Sequence, residues 1–218
     1  MRQTIKDFVC MVAETLPIGE PVVEFGSLQV PGQEHFADLR PLFGGKRYIG
    51  ADMREGPGVD KILNLHDIDL PSEHVGTVLC LDTLEHVEYP HKAMDEIYRV
   101  LKPDGIAIIS SVMNFPIHDY PYDFWRFTPE AFKSLLKQFT GVFVGSAGIE
   151  DFPHTVVGIG FKTSAPPLSQ FELSYTAWKS AQEIRAGLPY FKWIRRLITP
   201  PILSRSGRKA LGLTRRNT

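Results

Sequence analysis

The chain has 218 residues, of which 43% are hydrophobic, 22% charged and 11% aromatic, a composition that excludes a disordered or low-complexity protein. Two cysteines, Cys10 and Cys80, are too few for a disulfide framework, and their apolar neighbours predict buried thiols in a reducing compartment. No uncharged apolar run reaches the roughly 18 residues of a membrane span. Asp7 and Glu14 interrupt the apolar N-terminus, so we expect no signal peptide.

The net charge of −1 conceals an uneven distribution of charge along the chain. Residues 1–164 contain 14 Lys and Arg against 23 Asp and Glu, a net −9. Residues 165–218 contain 10 basic residues and only two acidic ones, a net +8, and Pro166 and Pro167 mark the boundary. This split predicts an acidic domain over residues 1–165 and a basic helical extension over residues 166–218.

Apolar periodicity alternates along the chain between strand-like and helix-like segments. A first short helix is predicted over 32–43, where Pro41 bends or ends it. A second helix begins at Pro90 and stops before the turn at 102–105. A third runs over about 128–139, with Thr128 as its N-cap. Strands are predicted at 21–25, 47–51, 61–65, 77–81, 106–109, 142–144 and 155–159.

These strands are nearly all apolar, which is typical of a parallel sheet covered by helices on both faces. The connection between the last two strands is too short for a helical crossover, so these two should pair antiparallel. We therefore predict a Rossmann-like α/β fold: a seven-stranded, mostly parallel sheet whose last strand is antiparallel, followed by the basic extension.

Acidic residues stand near the ends of four predicted strands, at Glu24, Asp52, Asp67 and Asp82. Ligands of open α/β sheets bind beyond the carboxyl ends of the strands. The acids disfavour a phosphate-rich ligand and suit one with ribose hydroxyls, an amino group or a positive centre. Asp52 can accept both hydroxyls of a ribose, or it is a solvated strand end. Asp67 can accept from an exocyclic amine, or it belongs to a turn.

Five motifs occur in order at suitable spacing. They are Val22-Val-Glu-Phe-Gly26, Gly50-Ala-Asp-Met53, Leu81-Asp-Thr-Leu-Glu-His-Val87, Arg99-Val-Leu-Lys-Pro-Asp-Gly105 and Phe124-Trp-Arg-Phe-Thr-Pro-Glu-Ala-Phe132. Together they resemble class I S-adenosylmethionine-dependent methyltransferases, especially the broad type 11 group, over roughly residues 20–164. The resemblance implies an enzyme that transfers methyl groups, with S-adenosylmethionine as its cofactor.

The resemblance also implies roles for individual residues. The loop that begins at Gly26 would wrap the methionine part of the cofactor, Asp52 would bind the ribose, and Met53 would contact the adenine. His66 and Asp67 match adenine-edge positions, and Asp82 lies where the family approaches the sulfonium. The residues that match cofactor-binding positions are Glu24, Gly26, Ser27, Asp52, Met53, His66, Asp67 and Asp82.

The sequence departs from the family in its glycine-rich loop. The usual Gly-x-Gly-x-Gly is replaced by Gly26-Ser-Leu-Gln-Val30, so Leu28 stands where backbone normally approaches the ligand. Gly76 also replaces the acid common before the fourth strand. These changes favour an alternative, a non-catalytic methyltransferase-like binding or scaffold protein. A third hypothesis is a dinucleotide-dependent oxidoreductase, which the absence of a Gly-x-Gly-x-x-Gly sequence disfavours.

Residues 114–126, which we call the substrate segment, combine aromatic and ionisable side chains at high density after the fifth strand. Loops on a rigid scaffold often carry recognition. Tyr122, Trp125 and Arg126 are therefore candidate substrate-binding residues. The alternative is a structural lid, in which Trp125 packs and Arg126 pairs with an acid.

His86 and His118 are the candidate catalytic bases, because histidine exchanges its proton near neutral pH. A base is needed only if the methyl acceptor carries a proton, as a hydroxyl does. His86 could instead be an ordinary residue at a helix start. The ligand spacing in this region is not compact, so no metal site is predicted.

The C-terminal extension contains an amphipathic stretch at 190–198, with Trp193 and Leu197 on its apolar face and Arg195 and Arg196 on the basic one. Such a helix can lie in an anionic membrane interface, here through residues 189–218. The alternative is a helix packed on the acidic domain. No binding fold for nucleic acid accompanies the charge, so nucleic acid is not an expected partner.

The sequence thus predicts a methyltransferase for a small-molecule or glycan-like acceptor, with oxygen as the favoured acceptor atom. We expect a cytoplasmic protein that contacts the inner membrane surface only peripherally, through the extension.

Overall fold

The computed structural model describes residues 1–32, 34–119 and 121–198, with the side chains of 34, 35 and 187–198 left out of the description. A seven-stranded sheet forms its centre, in the order β3-β2-β1-β4-β5-β7-β6. The strands are β1 (Val22–Phe25), β2 (Tyr48–Asp52), β3 (Lys61–Ile62), β4 (Val75–Leu81), β5 (Leu101–Val112), β6 (Gly141–Ile149) and β7 (Phe152–Phe161).

Strands β1 to β5 pair in parallel, and β7 lies antiparallel between β5 and β6. The predicted fold class is therefore confirmed, including the antiparallel pairing of the last two strands. Strand β4 is buried along its whole length, as a strand covered on both faces must be.

Helices cover both faces of the sheet. They are α1 (Gln3–Thr15), α2 (Glu34–Ala37), α3 (Pro90–Val100), α4 (Pro129–Leu135) and α5 (Ser169–Ile198). On one face, α3 and α4 bury Met94, Ile97 and Phe132 against the sheet. On the other face, α1 and the first half of α5 bury Phe8 and Phe171. Helices α1, α3, α4 and α5 thus each contribute an apolar face to one of two cores.

Local signals explain where α3 and α4 begin. Pro90 and Pro129 both stand in a first helical turn, where a missing N–H costs nothing. The Thr128 hydroxyl accepts a hydrogen bond from the Ala131 N–H at 3.2 Å and so caps α4. Helix α4 ends at Leu135, earlier than the apolar periodicity predicts.

Other sequence expectations need correction. The strand predicted at 61–65 is only Lys61–Ile62, because the Asn64 side chain accepts from the His66 N–H at 2.9 Å and turns the chain. The helix predicted over 32–43 is instead α2 and a separate 3-10 turn at Arg40–Phe43. The Asp38 carboxylate accepts from the Arg40 N–H at 3.0 Å between them.

Two further expectations need correction, one in β5 and one in α1. The turn predicted at 102–105 lies within β5, whose pairing with β4 shifts register between Val75 and Thr77. Cys80 is buried as expected, whereas Cys10 is half-exposed, with its thiol 3.4 Å from a carboxylate oxygen of Glu14.

The packing of α5 yields a stability prediction. Phe171 is fully buried, with its ring centroid 4.8 Å from that of Phe143 in β6, whereas Leu173 is 70% exposed. Phe171→Ala should lower the free energy of unfolding by about 3–5 kcal/mol, since it leaves a cavity in the core. Leu173→Ala should change it by less than about 0.5 kcal/mol. Urea unfolding of both variants measures this, and equal effects would contradict the packing described.

Candidate functional site

The carboxyl ends of β1, β2, β4 and β5 lie side by side. Phe25 pairs with both Ala51 and Cys80, and Cys80 pairs with Ile109. The residues that follow these positions therefore lie together at the carboxyl ends of the strands, which we call the sheet edge. They include Gly26, Asp52 and Asp82, which the sequence placed at strand ends.

Gly26 occupies a position that only glycine fits. Its φ is +82°, and a Cβ added there would collide with the Thr83 side chain. The Thr83 hydroxyl is 3.0 Å from the Leu81 carbonyl oxygen, to which it donates. The next residue, Ser27, is buried, and its hydroxyl oxygen has no hydrogen-bond partner among the described residues.

The loop that follows Gly26 packs on the loop that follows β2. The Gln29 N–H donates to the Pro57 carbonyl at 2.9 Å. Leu28 lies so close to Gly56 that a Cβ there would meet its side chain at 2.5 Å. The first loop lacks the usual glycines, and its side chains instead pack closely against two glycines of the second loop, Gly56 and Gly58.

Glu24 lies inside β1 rather than beyond its end. Its carboxylate accepts a hydrogen bond from the Tyr48 hydroxyl at 2.7 Å. Burial raises the pKa of Glu24 to about 7, although the Tyr48 contact and the charge of Arg40 act in the opposite direction. The side chain is 6% exposed, so in this conformation its nearest partner is a tyrosine of the fold.

Asp52, at the end of β2, keeps its carboxylate at the edge of the sheet. Its Oδ1 accepts from the Arg54 backbone N–H at 2.9 Å and lies 3.4 Å from the Arg54 Nε. The neighbouring Met53 is 65% exposed. An acid and an exposed apolar side chain thus follow each other at the end of β2, and their ribose and adenine roles stay a prediction.

His66 and Asp67 follow β3 in an exposed turn. The His66 Nε2 accepts a hydrogen bond from the Tyr89 N–H at 3.2 Å, and the two rings meet edge to face at 5.7 Å. The Asp67 N–H donates to the Asn64 carbonyl at 3.1 Å. Asp67 is exposed and belongs to a turn, while the position of His66 connects this turn to the start of α3.

Asp82, after β4, forms a bidentate ion pair with Arg2. The Arg2 Nε and Nη2 lie 2.9 and 2.8 Å from its two carboxylate oxygens. Arg2 also donates to the Thr155 hydroxyl at 2.6 Å and lies over the Phe115 ring at 5.6 Å. The N-terminal residues therefore cross the ends of β4 and β7 and reach the substrate segment.

His86 and His118 are neighbours in space. Their ring centroids are 4.7 Å apart in an edge-to-face arrangement. The His86 Nδ1 is 2.7 Å from the Tyr122 carbonyl oxygen, which can only accept, so Nδ1 carries the proton and Nε2 has the free lone pair. The two candidate bases therefore lie together at the sheet edge. His86 comes from the turn after β4, and His118 comes from the substrate segment.

Glu85 lies beneath these histidines and is fully buried. Its Oε2 accepts from the Ser111 hydroxyl at 2.6 Å, whereas its Oε1 has no partner among the described residues. Burial, together with the nearby charge of Asp82, raises the pKa of Glu85. Its carbonyl accepts from the N–H groups of Phe124 and Trp125, which ties the substrate segment to the end of β4.

An ion pair also holds the substrate segment. Arg126 donates to both carboxylate oxygens of Asp123, at 2.6 and 2.7 Å, and to the Phe115 and Pro116 carbonyls at 3.0 and 2.9 Å. These hydrogen bonds from Arg126, reinforced by its charge, hold the pKa of Asp123 well below its usual range. Arg126 thus shapes the loop, which is the structural role that the sequence left open.

Tyr122 and Trp125 are exposed on this loop, at 64% and 43%. The Trp125 indole N–H donates to the Val87 carbonyl at 2.9 Å. Beside it is an open groove of about 620 Å³ between α3 and α4, lined in part by Tyr89, Trp125, Arg126 and Leu135.

Sequence analysis did not single out Arg2, Glu85 or Asp123. Glu85 stood beside a named histidine, and only its burial distinguishes it from a surface acid. Arg2 carried no local signal at all, because its partners are distant in the sequence. Asp123 was predicted only as part of a dense segment.

The amphipathic stretch at 190–198 lies within α5, but its side chains lie outside the described residues, as does the chain from 199 onward. Within the described residues, no helix combines the length and apolarity needed to cross a membrane.

Comparison with known proteins shows what this architecture resembles. Residues 45–109 match the family model described as a methyltransferase domain, which spans under a third of the chain. No curated protein matches the sequence significantly.

Several solved structures share the fold. A SAM-dependent methyltransferase from Archaeoglobus fulgidus is 16% identical, with a TM-score of 0.57 over 74% of this chain and 95% of that one. One from Thermotoga maritima is 19% identical, with a TM-score of 0.55 over 73% and 89%. The complex of a methyltransferase with its Trm112 activator from Haloferax volcanii contains a chain 15% identical, with a TM-score of 0.51 over 72% and 90%.

The expected resemblance is thereby confirmed. The chain shares the fold of class I S-adenosylmethionine-dependent methyltransferases, and residues 45–109, from β2 into β5, match a methyltransferase domain. Together these similarities imply S-adenosylmethionine as the cofactor.

Proposed function

We propose that the protein transfers a methyl group from S-adenosylmethionine to an oxygen atom of a small-molecule or glycan-like acceptor. The observation that carries this proposal is the set of side chains at one sheet edge. Gly26, Asp52 and Asp82 follow adjacent strands there, and the histidine pair lies next to them.

The edge fits the nucleoside part of the cofactor. The positive φ of Gly26 and its close contact with the Thr83 side chain set the turn at the start of the loop that we expect to meet the cofactor. Both contacts from Arg54 to Asp52 use Oδ1, so Oδ2 is the oxygen that we expect a ribose hydroxyl to reach. The unpartnered Ser27 hydroxyl oxygen is a further polar atom that a ligand could satisfy.

The methionine part would lie near Asp82 and Gly26. A sulfonium is positively charged, and a carboxylate at the end of β4 suits it. Arg2 already neutralises Asp82 in this conformation. We therefore infer that the positive groups of the cofactor share or replace the contact between Asp82 and Arg2.

The histidines would remove the acceptor proton. When bound, S-adenosylmethionine supplies an electrophilic methyl group, and the acceptor oxygen must lie in line with it. The Nε2 of His86 has the free lone pair that a base needs. His118 approaches from the substrate segment, where the exposed Tyr122 and Trp125 are positioned to contact an acceptor.

The alternative of a non-catalytic binding protein rests on one observation. The loop after Gly26 packs on the loop at 56–58. It lacks two of the three glycines that a methyltransferase usually has in this first loop. Titration with S-adenosylhomocysteine and NAD separates the hypotheses. A catalytic protein binds the first, an oxidoreductase binds the second, and a scaffold that has lost the cofactor site binds neither.

Asp52→Ala should weaken S-adenosylhomocysteine binding by about 1.5–3 kcal/mol, the range for hydrogen bonds to a charged group. Isothermal titration calorimetry measures the change. Glu55→Ala removes an exposed carboxylate from the same loop and serves as the control, with unchanged affinity expected. Wild-type protein that binds no S-adenosylhomocysteine at millimolar concentration would contradict the cofactor proposal.

His118→Ala should lower the rate of methyl transfer by about 10²–10⁴, the usual contribution of a general base. The assay follows labelled methyl transfer to a panel of phenols, sugars and hydroxy acids. His91→Ala, an exposed histidine on α3, is the control. Affinity for S-adenosylhomocysteine should stay unchanged in both variants, and its loss in His118→Ala would show a structural role for the segment.

The basic extension suggests peripheral contact with an anionic membrane, and with it a location at the inner surface of the cytoplasmic membrane. Its support is the net charge of +8 over residues 165–218. Each basic residue near such a surface contributes about 1 kcal/mol.

Deletion of residues 189–218 should abolish sedimentation with anionic liposomes and leave the melting temperature unchanged, because the contacts of Phe171 and Trp178 are retained. High salt should weaken the binding of the full chain. Equal sedimentation of both proteins would eliminate the membrane role, and a lowered melting temperature would favour a packed helix.

A further inference from the structure

A cluster of metal-ligating side chains lies beyond the end of β4. Glu85 and His86 belong to the 3-10 turn Leu84–His86, and His118 comes from the substrate segment. Each offers one ligand atom, and these atoms all lie within 4.8 Å of one another. The sequence could not indicate this cluster, because the fold brings together residues that are far apart in the chain.

The buried Glu85 carboxylate is the independent sign of a ligand. Only its Oε2 is hydrogen-bonded, by the Ser111 hydroxyl at 2.6 Å, and Oε1 has no partner within the described part of the chain. The residue is 0% exposed, so water does not solvate that oxygen from the surface. A buried carboxylate oxygen without a partner is costly, and a bound cation is one way to satisfy it.

The Nδ1 nitrogens of His86 and His118 both lie next to hydrogen-bond acceptors. The His86 Nδ1 donates to the Tyr122 carbonyl at 2.7 Å. The His118 Nδ1 lies 3.2 Å from the Pro116 carbonyl oxygen and 3.3 Å from a carboxylate oxygen of Asp123. Both neighbours of the His118 nitrogen are acceptors, so each ring keeps its proton on Nδ1. Metal-ligating histidines have this arrangement, with the second nitrogen free to bind the ion.

We propose that Glu85, His86 and His118 bind a divalent transition-metal ion of the zinc type. Two imidazole nitrogens and one carboxylate oxygen form a donor set found in zinc sites that keep a fourth position open. Around a tetrahedral ion with bonds of about 2.1 Å, ligand atoms are about 3.4 Å apart. Closure from the present separation requires movements of about 1 Å, within reach of side-chain rotation.

The surrounding charges are compatible with a cation. The charges of Arg2 and Arg126 both interact with Glu85, and each arginine forms a bidentate pair with its own carboxylate, Asp82 and Asp123 respectively. The positive charge of the two arginines is therefore largely offset before an ion arrives.

This site does not depend on methyl transfer. In the metal site, His86 and His118 bind an ion. In the proposed function, the same two histidines take the proton of the methyl acceptor. The two proposals therefore need separate measurements. Metal binding is therefore tested on metal-stripped, tag-free full-length protein without any methyl donor.

The experiment titrates Zn²⁺ against the protein in competition with a chromophoric chelator, and records the visible spectrum with Co²⁺. The wild type should bind one ion per chain and give a d–d absorption typical of low coordination number. His86→Ala, His118→Ala and the isosteric Glu85→Gln should each weaken Zn²⁺ binding at least about tenfold. His74→Ala is the matched control, an exposed histidine at the opposite end of β4 whose loss should leave the affinity unchanged.

Circular dichroism first establishes that each variant is folded, and Glu85→Gln keeps the shape of the site if an alanine variant does not fold. Absence of stoichiometric Zn²⁺ and Co²⁺ binding by the folded wild type would overturn the proposal. So would affinities that Glu85→Gln and the folded histidine variants leave unchanged. Zn²⁺ binding without S-adenosylhomocysteine binding would refute the proposed function and support the metal site. S-adenosylhomocysteine binding without Zn²⁺ binding would refute the metal site and leave the proposed function in place.

Discussion

The parallel register between β1, β2 and β4 is the constraint on which the candidate site depends. It places Phe25 level with Ala51 and Cys80, so that the chain leaves three strands at the same height. A slip of one residue would turn every side chain to the opposite face. The close contact between Gly26 and the Thr83 side chain connects the ends of β1 and β4, and any larger residue at position 26 would displace that side chain.

Charge compensation is the second organising feature of the sheet edge. The sequence makes this edge acidic, but arginines accompany its carboxylates: Arg2 with Asp82, and Arg54 with Asp52. Arg126 does the same for Asp123 in the substrate segment. A cationic ligand therefore meets paired carboxylates and must compete with groups of the protein itself, which makes recognition depend on geometry more than on bulk negative charge.

Much of the fold follows from local patterns. Apolar runs predicted the strands, because a strand that is buried on both faces is apolar on both and does not alternate. Prolines in the first turns predicted α3 and α4, and the Thr128 cap added to the prediction of α4. Helix α1 was not predicted, although Ile5, Phe8, Val9 and Val12 have the i, i+3, i+4, i+7 spacing of an amphipathic helix. The length of β5 was not predicted either, because it depends on pairing with neighbouring strands. In β5 the residues 102–105 carry turn chemistry, yet pairing with β4 begins before them, at Leu101.

The candidate site was harder to predict than the fold. Residues at strand ends could be named, since topology alone brings them to one edge. Their partners could not, because Arg2, Ser111 and Thr155 reach the site from distant parts of the chain. The proximity of His86 and His118 is likewise a property of how the substrate segment folds back, which Arg126 and Asp123 determine.

The position of Arg2 has a practical consequence for work on this protein. Its guanidinium reaches the ends of β4 and β7, and Met1 packs on the core beside α1. Whatever is joined ahead of Met1, such as an affinity tag or a fluorescent fusion, therefore begins at the rim of the site. Such an attachment could alter ligand access by crowding alone, and an N-terminal label would report directly on events at this rim.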